Sequence, residues 1–234
     1  MICDLDGTLV DTRDGIVDTF RAVLELAGYP PPERAEILPL IGLPLDFMFR
    51  HFLARDVNVG KAAPSAAGQD ELARVVPELI AAYRRRYHEQ VTPTTRAYPE
   101  VADTLAELRS RGVLLAVATS KLTTIAAEAL LAAGLLPLFA LVYGMDAVSR
   151  PKPAPDLATK CLDDLGVDPS RAIVVGDAVH DVEMGRAAGC ETCAVTYGAQ
   201  SRDELLLGRP THLIDSFPAL LPIVLGSRGT DLTS

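Results

Sequence analysis

Positive charge is scarce in this sequence. Its 234 residues carry 22 Lys and Arg against 31 Asp and Glu, a formal net charge of −9. No basic run is denser than Arg84-Arg85-Arg86. Phosphate backbones reward a basic footprint, so nucleic acid is not an expected partner. Tyr83 and Tyr87 flank the triplet at helical spacing, which reads as the solvated face of a helix. Long apolar runs are missing too. No stretch reaches the roughly 18 to 20 uninterrupted apolar residues of a membrane span, and no basic segment leads into an apolar signal core. A cytoplasmic protein with no membrane partner is the expectation. Cysteine is sparse, at Cys3, Cys161, Cys190 and Cys193. The last two form a C-x-x-C, but a redox motif needs a helix N-terminus and a zinc site needs a second ligand pair. Neither is present, which leaves reduced and mostly buried thiols. Internal repeats are absent.

What the chain does have is apolar bulk, 49% of its residues, enough for a substantial core. From Val113 onward, short apolar runs alternate with amphipathic segments, as in a parallel sheet flanked by helices. Strands are expected at Val113 to Ala118, Phe139 to Tyr143, Ala172 to Val175, Thr192 to Val195 and Thr211 to Ile214. Helices are expected at Leu122 to Ala133, Pro155 to Leu165, Val179 to Ala188, Arg202 to Leu207 and Phe217 to Leu225. Residues 12–98 differ. They show helical periodicity and no convincing strand, with stripes at Ile16, Val17, Phe20, Val23, Leu24 and Ala27, at Phe47, Met48, Phe52 and Leu53, and from Leu72 to Tyr83. Gly28 and Pro30-Pro31-Pro32 end the first stripe, and residues 58–69, rich in Ala, Gly, Pro and Ser, read as a mobile loop. A helix from Pro99 to Arg111 leads back to the sheet. The expected class is α/β: a Rossmann-like parallel sheet core over 1–11 and 99–234, with an α-helical domain inserted at 12–98 as a lid.

The strand ends carry the chemistry. Met1-Ile2-Cys3 runs into Asp4-Leu5-Asp6-Gly7-Thr8, so either the first strand is short or residues upstream of Met1 belong to it, and it ends on two acids whose spacing aims both side chains at one volume. Carboxylates that close repel unless a cation joins them or one stays protonated, and Gly7 lets the backbone turn away. Other polar residues stand where a doubly wound sheet places its ligand crevice: Thr119-Ser120-Lys121, Lys152, Asp177 and Asp181. Singly, Asp6 reads as a cap and Lys152 as a surface lysine. Asp11 reads as the N-cap of the following helix, and His180 as a surface or supporting residue.

In order and at these spacings, the set from Asp4 to Gly189 resembles the haloacid dehalogenase superfamily of phosphohydrolases, with the helical segment matching its C1-type cap. The resemblance implies Mg²⁺ held by Asp4, Asp177 and the backbone carbonyl of Asp6. Asp181 falls beside the metal or in contact with it, orienting a water or Lys152. Asp4 would be the nucleophile that forms an aspartyl-phosphate, and Asp6 the proton donor to the leaving alkoxide. Thr119, Ser120, Lys152 and Gly7 would hold the phosphoryl oxygens, helped by the N-terminus of the helix after Ser120. Asp6 argues against a dehalogenase, which has no alkoxide to protonate. Residues Leu40 to Leu45 and Ala118-Thr119-Ser120-Lys121 look most like phosphoglycolate phosphatases and related pyrophosphatases. Phosphosugar mutases carry an arginine where this chain has Leu45. The implied activity is hydrolysis of a small phosphate monoester, phosphoglycolate or a sugar phosphate, by a monomer or homodimer. Leu43, Pro44, Leu45, Phe47 and Arg50 are the candidate cap contacts, and their apolar character leaves room for a bulky phosphorylated secondary metabolite. A module of this fold that binds without catalysis is the alternative of a different class.

Overall fold

Six apolar runs pair into one sheet. In the computed structural model, which describes residues 1–57 and 66–226, the strands are β1 (Ile2–Cys3), β2 (Ala116–Ala118), β3 (Leu141–Tyr143), β4 (Ile173–Gly176), β5 (Glu191–Val195) and β6 (His212–Ile214). All pairs are parallel, in the order β3-β2-β1-β4-β5-β6. Strand β1 is only two residues long, yet it lies at the centre, with Ile2 opposite both Ala116 and Val174. Strand β2 starts at Ala116 rather than Val113, where it first pairs in register with Ile2 and Leu141.

The chain divides into two compact units, Met1–Thr12 with Thr94 onward, and Arg13–Pro93. The second is built from α1 (Arg13–Leu26), α2 (Arg34–Ile37), α3 (Leu45–Val57) and α4 (Ala66–Gln90). Its apolar stripes meet around Phe20, whose ring stacks on Phe49 at 4.4 Å and meets Phe52 edge-on at 5.6 Å. Such aromatic pairs contribute about 0.5–1.5 kcal/mol each beyond the area they bury. Tyr83 and Tyr87, on the face of α4 opposite the exposed Arg84 and Arg85, stack at 5.7 Å in this core. Two expectations change here. Residues 66–69 of the expected loop are the first turn of α4, and 58–65 lie outside the described residues. Arg34–Ile37 with the 3-10 turn Leu38–Leu40 is helical where none was expected.

Around the sheet run α5 (Val101–Ser110), α6 (Thr123–Ala132), α7 (Asp156–Leu165), α8 (Val179–Ala187), α9 (Arg202–Leu207) and α10 (Leu220–Gly226). Parallel strands are covered on both faces, so alternate residues fall into different cores. Cys3, Val117, Val175, Cys193 and Val195 pack with Val101, Leu105 and Leu108 of α5 and Leu130 of α6. Ile2, Ala116, Ala118 and Val174 pack with Leu157, Cys161 and Leu162 of α7 and Met184 of α8. The sequence also sets helix starts. Ser201 accepts from the Glu204 amide, and Glu204 Oε2 accepts from the Ser201 amide at 2.8 Å, a capping box that opens α9. The four cysteines are free and buried, with burial pushing Cys3, Cys161 and Cys193 up to about 12, so they remain neutral thiols. Among the described residues no helix is long and apolar enough to cross a membrane.

Candidate active site

The chain leaves β1 toward β2 on one side and leaves β4 toward β5 on the other, so the order reverses between β1 and β4. Open α/β sheets bind ligands at that point, beyond the carboxyl ends of the strands. Asp4 follows β1 and Asp177 follows β4, and the Asp4 amide donates to the Val175 carbonyl at 2.8 Å. The two are side by side because their strands are neighbours. Asp181, in the first turn of α8, completes a buried trio whose ligating oxygens lie within 4.8 Å of one another. Its Oδ2 accepts from the Ala178 amide at 3.1 Å, which closes the start of the helix.

Lys152 reaches into this acid cluster from the segment before α7. Its Nζ donates to Asp4 Oδ1 at 2.5 Å and to Asp181 Oδ1 at 2.6 Å, with 1% of the lysine side chain exposed. Burial alone would pull the ammonium down, but Asp181 and Asp4 outweigh it and hold it above its ordinary value. The lysine does not balance the cluster. Asp4 is pushed up to about 7, first by burial and then by Asp181 and Asp6, against the pull of Lys152. Asp177 is pushed well above the ordinary range by burial, Asp4 and Asp181. Hard carboxylate oxygens, crowded and short of positive charge, are a donor set that suits a small divalent cation.

Asp6 has different partners. Strand β1 ends at Cys3, so the alternation that aimed both carboxylates at one volume stops short of Asp6. Its Oδ1 accepts a hydrogen bond from the Thr12 hydroxyl, and Lys121 Nζ donates to Oδ2 at 2.6 Å. Thr119 is buried at the end of β2, its Oγ1 accepting from the Lys121 amide at 3.3 Å. The Ser120 hydroxyl is buried and has no hydrogen-bond partner. Two expected donors are already committed. The Gly7 amide donates to the Val10 carbonyl at 2.9 Å, and the first amide of α6, from Thr123, donates to Asp146 Oδ1 at 2.7 Å. What Gly7 supplies is space. Its φ is +79°, and a Cβ there would overlap Asp177 Oδ2.

Other residues fall as follows. Asp11 accepts from the Tyr98 hydroxyl at 3.2 Å. His180 is buried, and burial holds its pKa below the ordinary value. The cap candidates all belong to the helical unit. Leu43, Pro44 and Leu45 are half-buried, and Phe47 is 49% exposed and stacked on His51 at 6.0 Å. Arg50 Nε is held by Asp46 at 2.8 Å, and Met48 is buried. The sequence reading assigned no role to Thr12 or Lys121. Lys121 stands directly after Thr119-Ser120 at the strand end, which was the available signal, whereas Thr12 offers none.

The family model described as haloacid dehalogenase-like hydrolase matches residues 1–195. The chain belongs to that family. Within the haloacid dehalogenase-like hydrolases, it is 38% identical to the probable phosphatase IndB of Dickeya dadantii, over 93% of this chain and 89% of the relative. It is 33% identical to the pyrophosphatase PpaX of Bacillus pumilus, over 96% and 95% of the two chains. A haloacid dehalogenase-like family hydrolase from Streptococcus pneumoniae superposes with a TM-score of 0.78 at 26% identity, covering 96% of each chain. The chain is thus an enzyme of the phosphatase kind, in the branch that holds phosphoglycolate phosphatases and PpaX.

Proposed function

We propose that this haloacid dehalogenase-like enzyme hydrolyses a small-molecule phosphate monoester through covalent phosphorylation of Asp4. The observation that carries the reading is the buried Asp4, Asp177 and Asp181 cluster with Lys152 bonded to two of its members. Asp4, Asp177 and Asp181 would hold Mg²⁺, with the Asp6 carbonyl as a further ligand. When bound, the ion neutralises charge between a carboxylate and a phosphate dianion. The remaining roles belong to the chain. One Asp4 oxygen bonds phosphorus as the ester oxygen departs, dividing one hard displacement into two easier ones. Asp6 gives its proton to that oxygen and later takes one from the water that cleaves the aspartyl-phosphate, returning Asp4 and releasing phosphate. The Lys152 ammonium orients Asp4 and offsets negative charge on the phosphoryl oxygens, where the Thr119 hydroxyl and the Ser120 amide donate.

The leaving group would be selected by Leu43, Pro44, Leu45, Phe47 and Arg50. Two observations favour a body with apolar area over the carboxylate of phosphoglycolate: Arg50, the cation among these five residues, is held by Asp46, and Phe47 is the exposed aromatic side chain among them. Leu45 in place of the mutase arginine favours hydrolysis over transfer to a second sugar hydroxyl. The test is phosphate release with Mg²⁺ from a panel holding phosphoglycolate, ribose 5-phosphate, pyrophosphate and an aryl-bearing sugar phosphate. Release should be fastest for the aryl ester and vanish in Asp4→Asn. A clear preference for phosphoglycolate would overturn the leaving-group reading, and release that survives Asp4→Asn would overturn the mechanism.

A further inference from the structure

The segment after β5, Tyr197-Gly198-Ala199-Gln200, touches Asp177 or its supports at every residue, and the phosphoryl chemistry above uses none of it. The Ala199 amide donates to Asp177 Oδ2 at 2.6 Å. A Cβ on Gly198 would overlap Asp177 Cβ, so only glycine lets the backbone pass at that distance. Tyr197 Oη donates to the Thr8 carbonyl at 2.8 Å, and the Thr8 hydroxyl donates to Asp177 Oδ1 at 3.4 Å. Gln200 Oε1 accepts from the Val179 amide at 2.8 Å, fixing the first turn of α8, which carries Asp181.

We propose that Tyr197–Gln200 is a positioning brace that sets the orientation of Asp177 and Asp181 for cation binding. The proposal rests on the reading of both as part of the cation site. A carboxylate on a short side chain rotates about two bonds. Here one oxygen is pinned by a main-chain amide, glycine backbone closes two sides through Gly7 and Gly198, and the helix start beside it is tied to the same segment. Groups that orient a ligand without touching the metal change affinity by about 10- to 100-fold when removed. The brace should therefore act on metal affinity and leave turnover at saturating metal nearly unchanged.

The experiment is calorimetric titration of the full-length protein with Mg²⁺, beside turnover of p-nitrophenyl phosphate at saturating Mg²⁺. The variants are Gly198→Ala, Gln200→Met, Tyr197→Phe and Thr196→Val. The last removes a hydrogen bond to Asp215 from the neighbouring position, 2.6 Å in the native chain, without touching Asp177. Gly198→Ala should weaken Mg²⁺ binding by at least about 10-fold, and Gln200→Met and Tyr197→Phe by about 3- to 10-fold. Thr196→Val should stay within about twofold, the level expected of a surface change. If Gly198→Ala fails to fold, the other two decide. Native protein that binds Mg²⁺ with folded Gln200→Met and Tyr197→Phe binding equally well overturns the brace alone. Native protein that binds no Mg²⁺ overturns the cation reading together with the brace. Equal weakening in Thr196→Val reduces the effect to general loosening and overturns the proposal as well.

Discussion

Asp6 divides its carboxylate between Thr12 and Lys121, while Asp4 gives an oxygen to Lys152. If Asp6 delivers the leaving-group proton, its loss matters in proportion to how poor that leaving group is. Asp6→Asn should lower kcat on an alkyl phosphate by about 100-fold or more, the ordinary size of a general-acid contribution. On p-nitrophenyl phosphate, whose phenolate leaves unaided, the loss should be much smaller. Equal losses on both esters would remove Asp6 from proton transfer. Asp4 carries a pH signature. Its carboxyl rises from the ordinary 3.8 to about 7 on folding, so the stability it contributes is present below pH 4 and is lost as pH climbs through 7. Asp177 moves in the same direction. A cation that binds the ionised cluster opposes that loss, so the rise in Tm on adding Mg²⁺ should be small at pH 5 and larger at pH 8. A metal effect that shrinks with rising pH would contradict this. Asp4, Thr119 and Asp177 were legible because each follows an apolar run that announces a strand, and Lys152 because it stands just before an expected helix, at the spacing the family resemblance requires. Lys121 was legible as a strand-end residue but not as the partner of Asp6, and Gly198 was not legible, because its partner Asp177 comes from a distant segment.

Elements were legible where the physical pattern is strong. Strands β4 and β5 were read from runs apolar on both faces, and both faces are indeed buried. Helix α7 was expected at Pro155 to Leu165, between two apolar runs, and spans Asp156–Leu165 with Leu157, Ala158, Cys161 and Leu162 as its buried stripe. Misses fall where local composition misleads. Pro30-Pro31-Pro32 concealed the short helical stretch from Arg34 to Leu40, and alanine and glycine at 66–69 resembled a loop until α4 absorbed them. The turn after β1 makes a demand at this scale. A methyl at Gly7 would meet a left-handed φ of +79° and the Asp177 carboxylate at once. Gly7→Ala should cost about 1–3 kcal/mol for the strained backbone alone, and should weaken Mg²⁺ binding more than that destabilisation accounts for. Urea unfolding with and without Mg²⁺ separates the two, and equal stability loss in both conditions would confine Gly7 to backbone geometry.

The inserted unit, Arg13–Pro93, has an aromatic core of its own around Phe20, Phe49 and Tyr83, and the sheet has separate cores on its two faces. Phe49→Ala removes a fully buried ring and should cost about 3–5 kcal/mol. Hydrogen exchange should speed up in α1, α3 and α4 and stay unchanged in β4 and β5. Matching acceleration in the strands would mean the whole chain unfolds as one cooperative unit. At this scale the insertion was visible as helical periodicity without the short apolar runs of strands, whereas the strand order β3-β2-β1-β4-β5-β6 follows from pairings that no local pattern encodes. That order gives strand β1 an unusual history during synthesis. Ile2 is made long before its neighbours, Ala116 and then Val174, exist. At about 5–20 residues per second, roughly 10–30 s separate the birth of β1 from that of β4. For that interval Asp4 follows an unpaired strand, so the residue proposed to take up the phosphoryl group is made well before the strands that fix its place.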